Sequence, residues 1–216
     1  MRAIVIAGGQ PRGGDGWKQW LQNADLIIAA DGGAAQARAW GLLPHLAIGD
    51  MDSLSEEEQA MLAAQGCRFV VHPRAKDETD LELALTWATE QEAQEIIVLG
   101  AMGGRLDHML ANVLLLALPE LEGRSVRIVD GNEEALLVRS GEVATLEGQP
   151  GDLVSLLPLG GDVHGVTSAG LVWALQGDTL RFGLSRGVSN EMTSATARIK
   201  VEDGYLLVVH GPSPES

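Results

Sequence analysis

Residues 1–130 alternate short aliphatic runs with longer helix-like stretches, and this alternation leaves the chain few architectures. The runs fall at 3–7, 25–29, 45–48, 68–71, 95–99 and 126–129. Such a pattern predicts parallel strands joined by right-handed helical crossovers, hence an α/β domain with a mostly parallel, doubly wound sheet. Ser53 or Ser55 opens a helix that stops at Gly66, because either serine forms a capping box with Glu56 or Glu58. Thr79, with Glu82 three residues on, opens a second helix. A third covers 105–118, with Leu106, Leu110, Val113 and Leu114 at helical spacing and expected in the core.

After Gly131 the texture changes. Runs at 135–138, 152–156, 170–175, 179–182 and 205–209 are short, rich in Val and Leu, and separated by Gly-containing turns without helical period. This half reads as an all-β, sandwich-like or barrel domain, in which Trp173 belongs to a strand and to the core. The expected domains are 1–130 and 131–216, with the boundary near Asp130 to Asn132.

A formal net charge of -15 works against partners bound through nucleic-acid or lipid phosphates, so neither is expected and small or cationic substrates are favoured. Cys67 is the single cysteine, which removes any internal disulfide or cysteine-rich zinc site and suits a reducing cytoplasm. The apolar opening ends at Gly8 and Gly9, too soon for a signal peptide, and reads as a first buried strand. No apolar run approaches the ~18 residues of a membrane span.

Asp31, Asp50, Asp52, Asp77, Asp80 and Asp107 all follow strand-like runs in turn-like sequence. Ligands of doubly wound sheets bind outside the carboxyl ends of the strands, so topology would bring these carboxylates to one edge. Converging like charges repel and lose solvation, and a bound cation relieves both costs. This points to a divalent metal, Mg²⁺, handling a phosphate substrate.

Each motif also has a plainer reading. Asp52 or Ser53 could cap the next helix, and Thr79 could cap while Asp80 complements the helix dipole; the functional reading gives Asp80 a metal and Lys76 a phosphate. In the loop from Gly100 to His108, backbone N–H groups could meet an anion while Arg105 forks onto phosphate oxygens, or the loop is a turn with Asp107 in the first helical turn. His108 reads as a packed or surface histidine. Asp31-Gly32-Gly33 is a tight strand-to-helix turn, and Ser189-Asn190-Glu191 is either a turn or a set of neutral partners for a heterocycle edge.

Taken in order, Asp31-Gly32-Gly33, Gly49-Asp50-Met51-Asp52-Ser53, Lys76-Asp77-Glu78-Thr79-Asp80 and Gly103-Gly104-Arg105-Leu106-Asp107-His108 resemble the signature of the thiamine pyrophosphokinase family. Gly170-Leu171-Val172-Trp173 and Ser189-Asn190-Glu191 resemble its C-terminal thiamin-binding region, so the likeness covers nearly the whole chain. It implies transfer of pyrophosphate from ATP to the hydroxyethyl oxygen of thiamine, giving thiamine diphosphate and AMP, in a homodimer with sites shared between subunits. By the same likeness Asp50, Asp52 and Asp80 would hold Mg²⁺. Asp31, Gly32, Gly33, Lys76, Thr79 and Arg105 would bind ATP, and Ser189 and Asn190 thiamine. Asp77, Arg105 and Asp107 are the catalytic candidates. The stretch 8–16 has no counterpart in the resemblance. Two rival readings are a metal-dependent sugar-phosphate nucleotidyltransferase, from the opening Ile4 to Gln10 with Asp50-Met51-Asp52, and a non-catalytic nucleotide- or thiamine-binding module.

Overall fold

The computed structural model describes residues 1–9 and 16–213, and the chain divides into two compact units, Met1–Gly131 and Asn132–Ser216. Of the unassigned stretch 8–16, residues 10–15 lie outside the described residues.

The first unit runs β1 (Arg2–Ile6), a 3₁₀ turn (Gly16–Leu21), β2 (Leu26–Ala30), α1 (Gly33–Ala39), β3 (Leu46–Gly49), α2 (Glu56–Ala64), β4 (Arg68–Val71), α3 (Asp80–Glu90), β5 (Glu95–Leu99), α4 (Leu106–Leu114) and β6 (Ser125–Asp130). All six strands pair in parallel, in the order β4-β3-β2-β1-β5-β6. The chain thus builds outward from β1 to one edge, then returns to the other side of β1. That reversal opens a crevice between the carboxyl ends of β1 and β5.

Ile4 and Ile6 of β1, with Ile97 and Leu99 of β5, pack on Trp17 and Ala37. Trp17 stacks on Trp40 with ring centroids 4.2 Å apart. Burying each such aliphatic side chain contributes about 1.5–3 kcal/mol. A second cluster joins Ala29 and Ala47 to Met51, Leu54, Leu62 and Cys67.

Of the two candidate serines, Ser55 caps α2: its Oγ accepts from Glu58 N at 3.2 Å while Glu58 Oε2 accepts from Ser55 N at 3.0 Å. Thr79 caps α3, its Oγ1 accepting from Glu82 N at 3.2 Å. The third helix departs from expectation. Leu106, Leu110 and Leu114 of α4 are 68, 57 and 55 % exposed and are not core. Helical spacing identifies which face is apolar but not what covers it, and the core positions here are taken by Leu116 and Leu121 in the 3₁₀ turns that follow.

The second unit is built of β7 (Glu133–Val138), β8 (Val143–Glu147), β9 (Leu153–Ala169), β10 (Asp178–Leu180), β11 (Asn190–Glu191), β12 (Thr196–Lys200) and β13 (Asp203–Gly211), all its pairings antiparallel. The run expected at 152–156 is the start of a 17-residue strand. Gly160 and Gly165 adopt positive φ within β9, so its first half pairs with β13 and its last residues with β12. Val154, Leu156, Val163, Val166 and Ile199 meet inside. Two expectations fail here. Residues 170–175 form no strand beyond a single bridge from Leu171 to Met192, and Trp173 is 59 % exposed instead of core. Gly170, at φ 79°, turns the chain out of β9 just before it. Strands β8 and β12 escape a search for aliphatic runs because Thr145, Glu147, Arg198 and Lys200 alternate with their apolar residues.

Candidate active site

Strands β1, β2, β3 and β5 deliver their carboxyl ends to one cavity of about 540 Å³ in the first unit. Its floor is backbone. Gly9 N donates to Gly100 O at 2.8 Å, and a Cβ on Gly9 would stand 2.4 Å from that oxygen. Gly33, just beneath the lining, leaves only 1.8 Å between an added Cβ and Ile6 O. Gly8, Gly9, Gly32 and Gly100 line the floor, where a ligand meets main chain directly.

One wall is acidic. Asp31 leaves β2 at φ 37°, and Met51 sits between Asp50 and Asp52 at φ 59°. Met51 is buried with Leu54 and Leu62, which anchors the turn; of its two acidic neighbours Asp50 lines the cavity, while Asp52 is exposed and does not. Asp52 N donates to Asp50 Oδ1 at 3.1 Å. Asp31, Asp50 and Asp52 each offer an oxygen within 4.8 Å of the others. Burial pushes the Asp31 carboxyl above its ordinary value; the charges of Asp80 and Asp50 push the same way, while the Ser53 hydroxyl and Gly32 amide oppose them. Asp31 Oδ1 is buried without a hydrogen-bond partner. An all-oxygen donor set with one orphaned buried oxygen and mutual repulsion fits a hard divalent cation.

Asp80 opens α3 beside Gly49, where an added Cβ would lie 2.9 Å from its Oδ1. Lys76 Nζ stands 2.9 Å from the same oxygen. The contact is an ion pair without hydrogen-bond alignment, since Oδ1 accepts no hydrogen bond. Lys76 instead donates to Pro73 O at 3.3 Å.

The cations lining the cavity are Arg74, Lys76 and Arg105. Arg105 forks onto Asp107, Nε to Oδ1 at 3.1 Å and Nη2 to Oδ2 at 2.6 Å. The hydrogen bonds from Arg105 hold the Asp107 carboxyl below the usual carboxylate range. Thr79 and His108 line the same cavity, with His108 exposed. Asp77 is exposed and neither it nor Asp107 lines the cavity.

Three polar or charged lining residues have no site role in the sequence reading: Arg74, Asn112 and Glu78. Asn112 Nδ2 donates to Ala101 O at 2.6 Å, tying α4 to the glycine loop. No local signal marks it. Arg74 had one, its place two residues before Lys76.

The second unit has its own cavity of about 640 Å³, lined by Val172, Trp173, Ala174, Leu175, Arg186, Gly187, Val188 and Asn190. Buried Asn190 holds the Trp173 main chain through both amide atoms, so its side chain supports this wall from within. Ser189 is exposed at φ 58°, with its N donating to Ser155 Oγ at 3.1 Å, and does not line the cavity.

A parallel sheet opening at its switch point onto clustered carboxylates and neighbouring cations has the donors of a metal-dependent phosphate site. The family model for the thiamin pyrophosphokinase catalytic domain matches residues 17–128, and that for the thiamin pyrophosphokinase vitamin B1 binding domain matches 142–206. The chain belongs to the thiamin pyrophosphokinase family. It is 27 % identical over 205 residues to the thiamine pyrophosphokinase of Bacillus subtilis (strain 168), covering 95 % of this chain and 96 % of that one. The crystal structure of thiamine pyrophosphokinase from Bacillus subtilis superposes with a TM-score of 0.86 at 26 % identity, over 99 % of this chain and all 100 % of that one. That of thiamin pyrophosphokinase from Geobacillus thermodenitrificans gives 0.84 at 26 % identity, over 99 % of each chain.

Proposed function

We infer that this protein transfers the pyrophosphoryl group of ATP to the hydroxyl of thiamine, releasing AMP and giving thiamine diphosphate. The observation that carries the reading is the convergence of Asp31, Asp50 and Asp52, the first two of which line a cavity that also presents Arg74, Lys76 and Arg105. Asp50 and Asp52 would hold Mg²⁺, with Asp31 beside them and Asp80 completing the acidic wall. When bound, the metal neutralises charge on the phosphate oxygens and orients them for in-line attack at the β-phosphorus. The glycine floor lets the polyphosphate approach main-chain N–H groups, as the sequence Asp31-Gly32-Gly33 suggests for the nucleotide. Lys76 and Arg105 bind phosphate oxygens, Arg105 by exchanging its fork on Asp107 for one on phosphate. Thr79 fixes the start of α3 and with it Asp80. Asp77, between the lining residues Lys76 and Glu78, and Asp107, paired with the lining Arg105, are the candidates for the group that receives the hydroxyl proton.

Asn190 would serve thiamine by holding Trp173 at the second cavity, with Ser189 beside it. A homodimer with shared sites is the working form, and the exposed stripe Leu106, Leu110, Leu114 supplies an apolar face for association. Among the described residues no helix is long and apolar enough to cross a membrane. With one buried, unpaired cysteine, the cytoplasm is the compartment we expect.

The test is incubation with thiamine, ATP and Mg²⁺, with and without chelator. AMP and thiamine diphosphate, both lost on chelation, support the reading; pyrophosphate or ADP as the nucleotide-derived product overturns it.

A further inference from the structure

We propose that Arg74 is a nucleotide-binding cation that Asp52 holds in reserve and that a divalent cation releases. The inference rests on the pyrophosphokinase reading and adds an order of events to it. Arg74 Nη2 lies 3.3 Å from Asp52 Oδ2, with the two side chains 83 and 49 % exposed. Arg74 lines the nucleotide-sized cavity, and Asp52 is one of the three clustered acids.

The other two cations of the cavity are held differently. Lys76, with its side chain only 12 % exposed, pairs with Asp80, and Arg105 pairs with Asp107 through two hydrogen bonds. Neither partner belongs to the Asp31, Asp50, Asp52 cluster. Among the described residues, Arg74 is therefore the lining cation whose partner a metal on that cluster would claim.

A single, long, solvent-exposed ion pair contributes little and breaks easily. A divalent charge on the cluster takes over Asp52 and repels the guanidinium, which is left inside a cavity that then admits a polyphosphate. The planar fork of Arg suits phosphate oxygens better than a lone carboxylate at this distance. Arg74 consequently opposes metal binding in the nucleotide-free protein and favours binding of the metal–nucleotide complex. The same side chain couples the two ligands with opposite signs in the two steps.

The variants are Arg74→Ala and Arg74→Lys, titrated first with Mn²⁺ alone and then with a non-hydrolysable ATP analogue in saturating Mn²⁺, with free metal read by electron paramagnetic resonance. Arg74→Ala is expected to bind Mn²⁺ alone about two- to fivefold more tightly, the loss of an exposed competing pair. It is expected to bind the metal–nucleotide complex about tenfold more weakly, the loss of a charge-assisted contact. Arg74→Lys falls between wild type and alanine in both. Unchanged affinities, or Mn²⁺ affinity that falls along with nucleotide affinity, overturn the role given to Arg74 and leave the pyrophosphokinase reading standing. A wild-type protein that binds no Mn²⁺ overturns the metal reading, and this inference with it.

Discussion

Asn190 grips the main chain of Trp173 from both sides: its Oδ1 accepts from Trp173 N at 3.0 Å and its Nδ2 donates to Trp173 O at 2.8 Å. The same Oδ1 accepts from Glu191 N at 2.9 Å, so this amide has no oxygen left over in this arrangement. Asn190→Ala removes the grip and frees the exposed indole. The KM for thiamine is expected to rise about tenfold or more while that for ATP changes little, from the loss of buried hydrogen bonds. Equal effects on both substrates, measured by steady-state kinetics, would show general misfolding instead.

Asp50 and Asp52 share one turn around the buried Met51, and the cation we propose there would organise both. Asp50→Asn and Asp52→Asn are each expected to lower kcat by at least ~10²-fold, as for other electrostatic groups of an active site. Mn²⁺ titration of the same variants is the companion measurement. Near-wild-type rates and metal binding in both would sink the assignment.

Asp31 gives a pH dependence with a definite sign. Its carboxyl titrates above the ordinary value in the folded protein, so the folded state binds the proton more tightly than the unfolded state. Its contribution to stability is therefore complete below the unfolded value and is lost as pH rises through the raised folded one. Above that raised value, without metal, the charge on Asp31 is a net cost. Asp31→Asn is expected to raise the Tm of metal-free protein by roughly 1–3 °C after solvent screening of this half-buried group, and to abolish the gain that Mg²⁺ gives wild type. Thermal melts with and without metal decide it, and a lower Tm for the metal-free variant would refute the account.

Gly33 has no room for a side chain, because an added Cβ would stand 1.8 Å from Ile6 O in the central strand. Gly33→Ala is expected to cost at least about 2 kcal/mol by urea unfolding, since neither main chain can yield cheaply. Gly41, with open space around an added Cβ but φ of 72°, is a useful control for strain without collision.

Leu110 lies between Leu106 and Leu114 on the uncovered face of α4. If that face joins two copies, Leu110→Glu converts the dimer to monomer in light scattering while the far-ultraviolet circular dichroism stays that of wild type. A monomeric wild type, or a variant still dimeric, removes the stripe from the interface.

Much of the first unit was legible because its signals are local. Aliphatic runs mark strands buried on both faces, and Ser55 with Glu58 and Thr79 with Glu82 announce helix starts through their own hydrogen bonds. The second unit was harder to read. Its strands alternate polar and apolar residues, β9 continues through two positive-φ glycines, and Gly170 ends it where a strand was expected to begin.

By itself, then, the sequence determined a parallel α/β unit, a β-rich unit after it, and carboxylates at the ends of strands, since each follows from periodicity and turn chemistry within a few residues. Tertiary structure alone decided that Asp31, rather than a residue nearer in sequence, joins Asp50 and Asp52, and that Asp77 stays outside the cavity. It also left the apolar stripe of α4 uncovered and engaged Asn190 with Trp173. Those outcomes depend on strand order, on the left-handed turns at Asp31 and Met51, and on what packs against each face, and no local pattern of residues encodes such long-range distances.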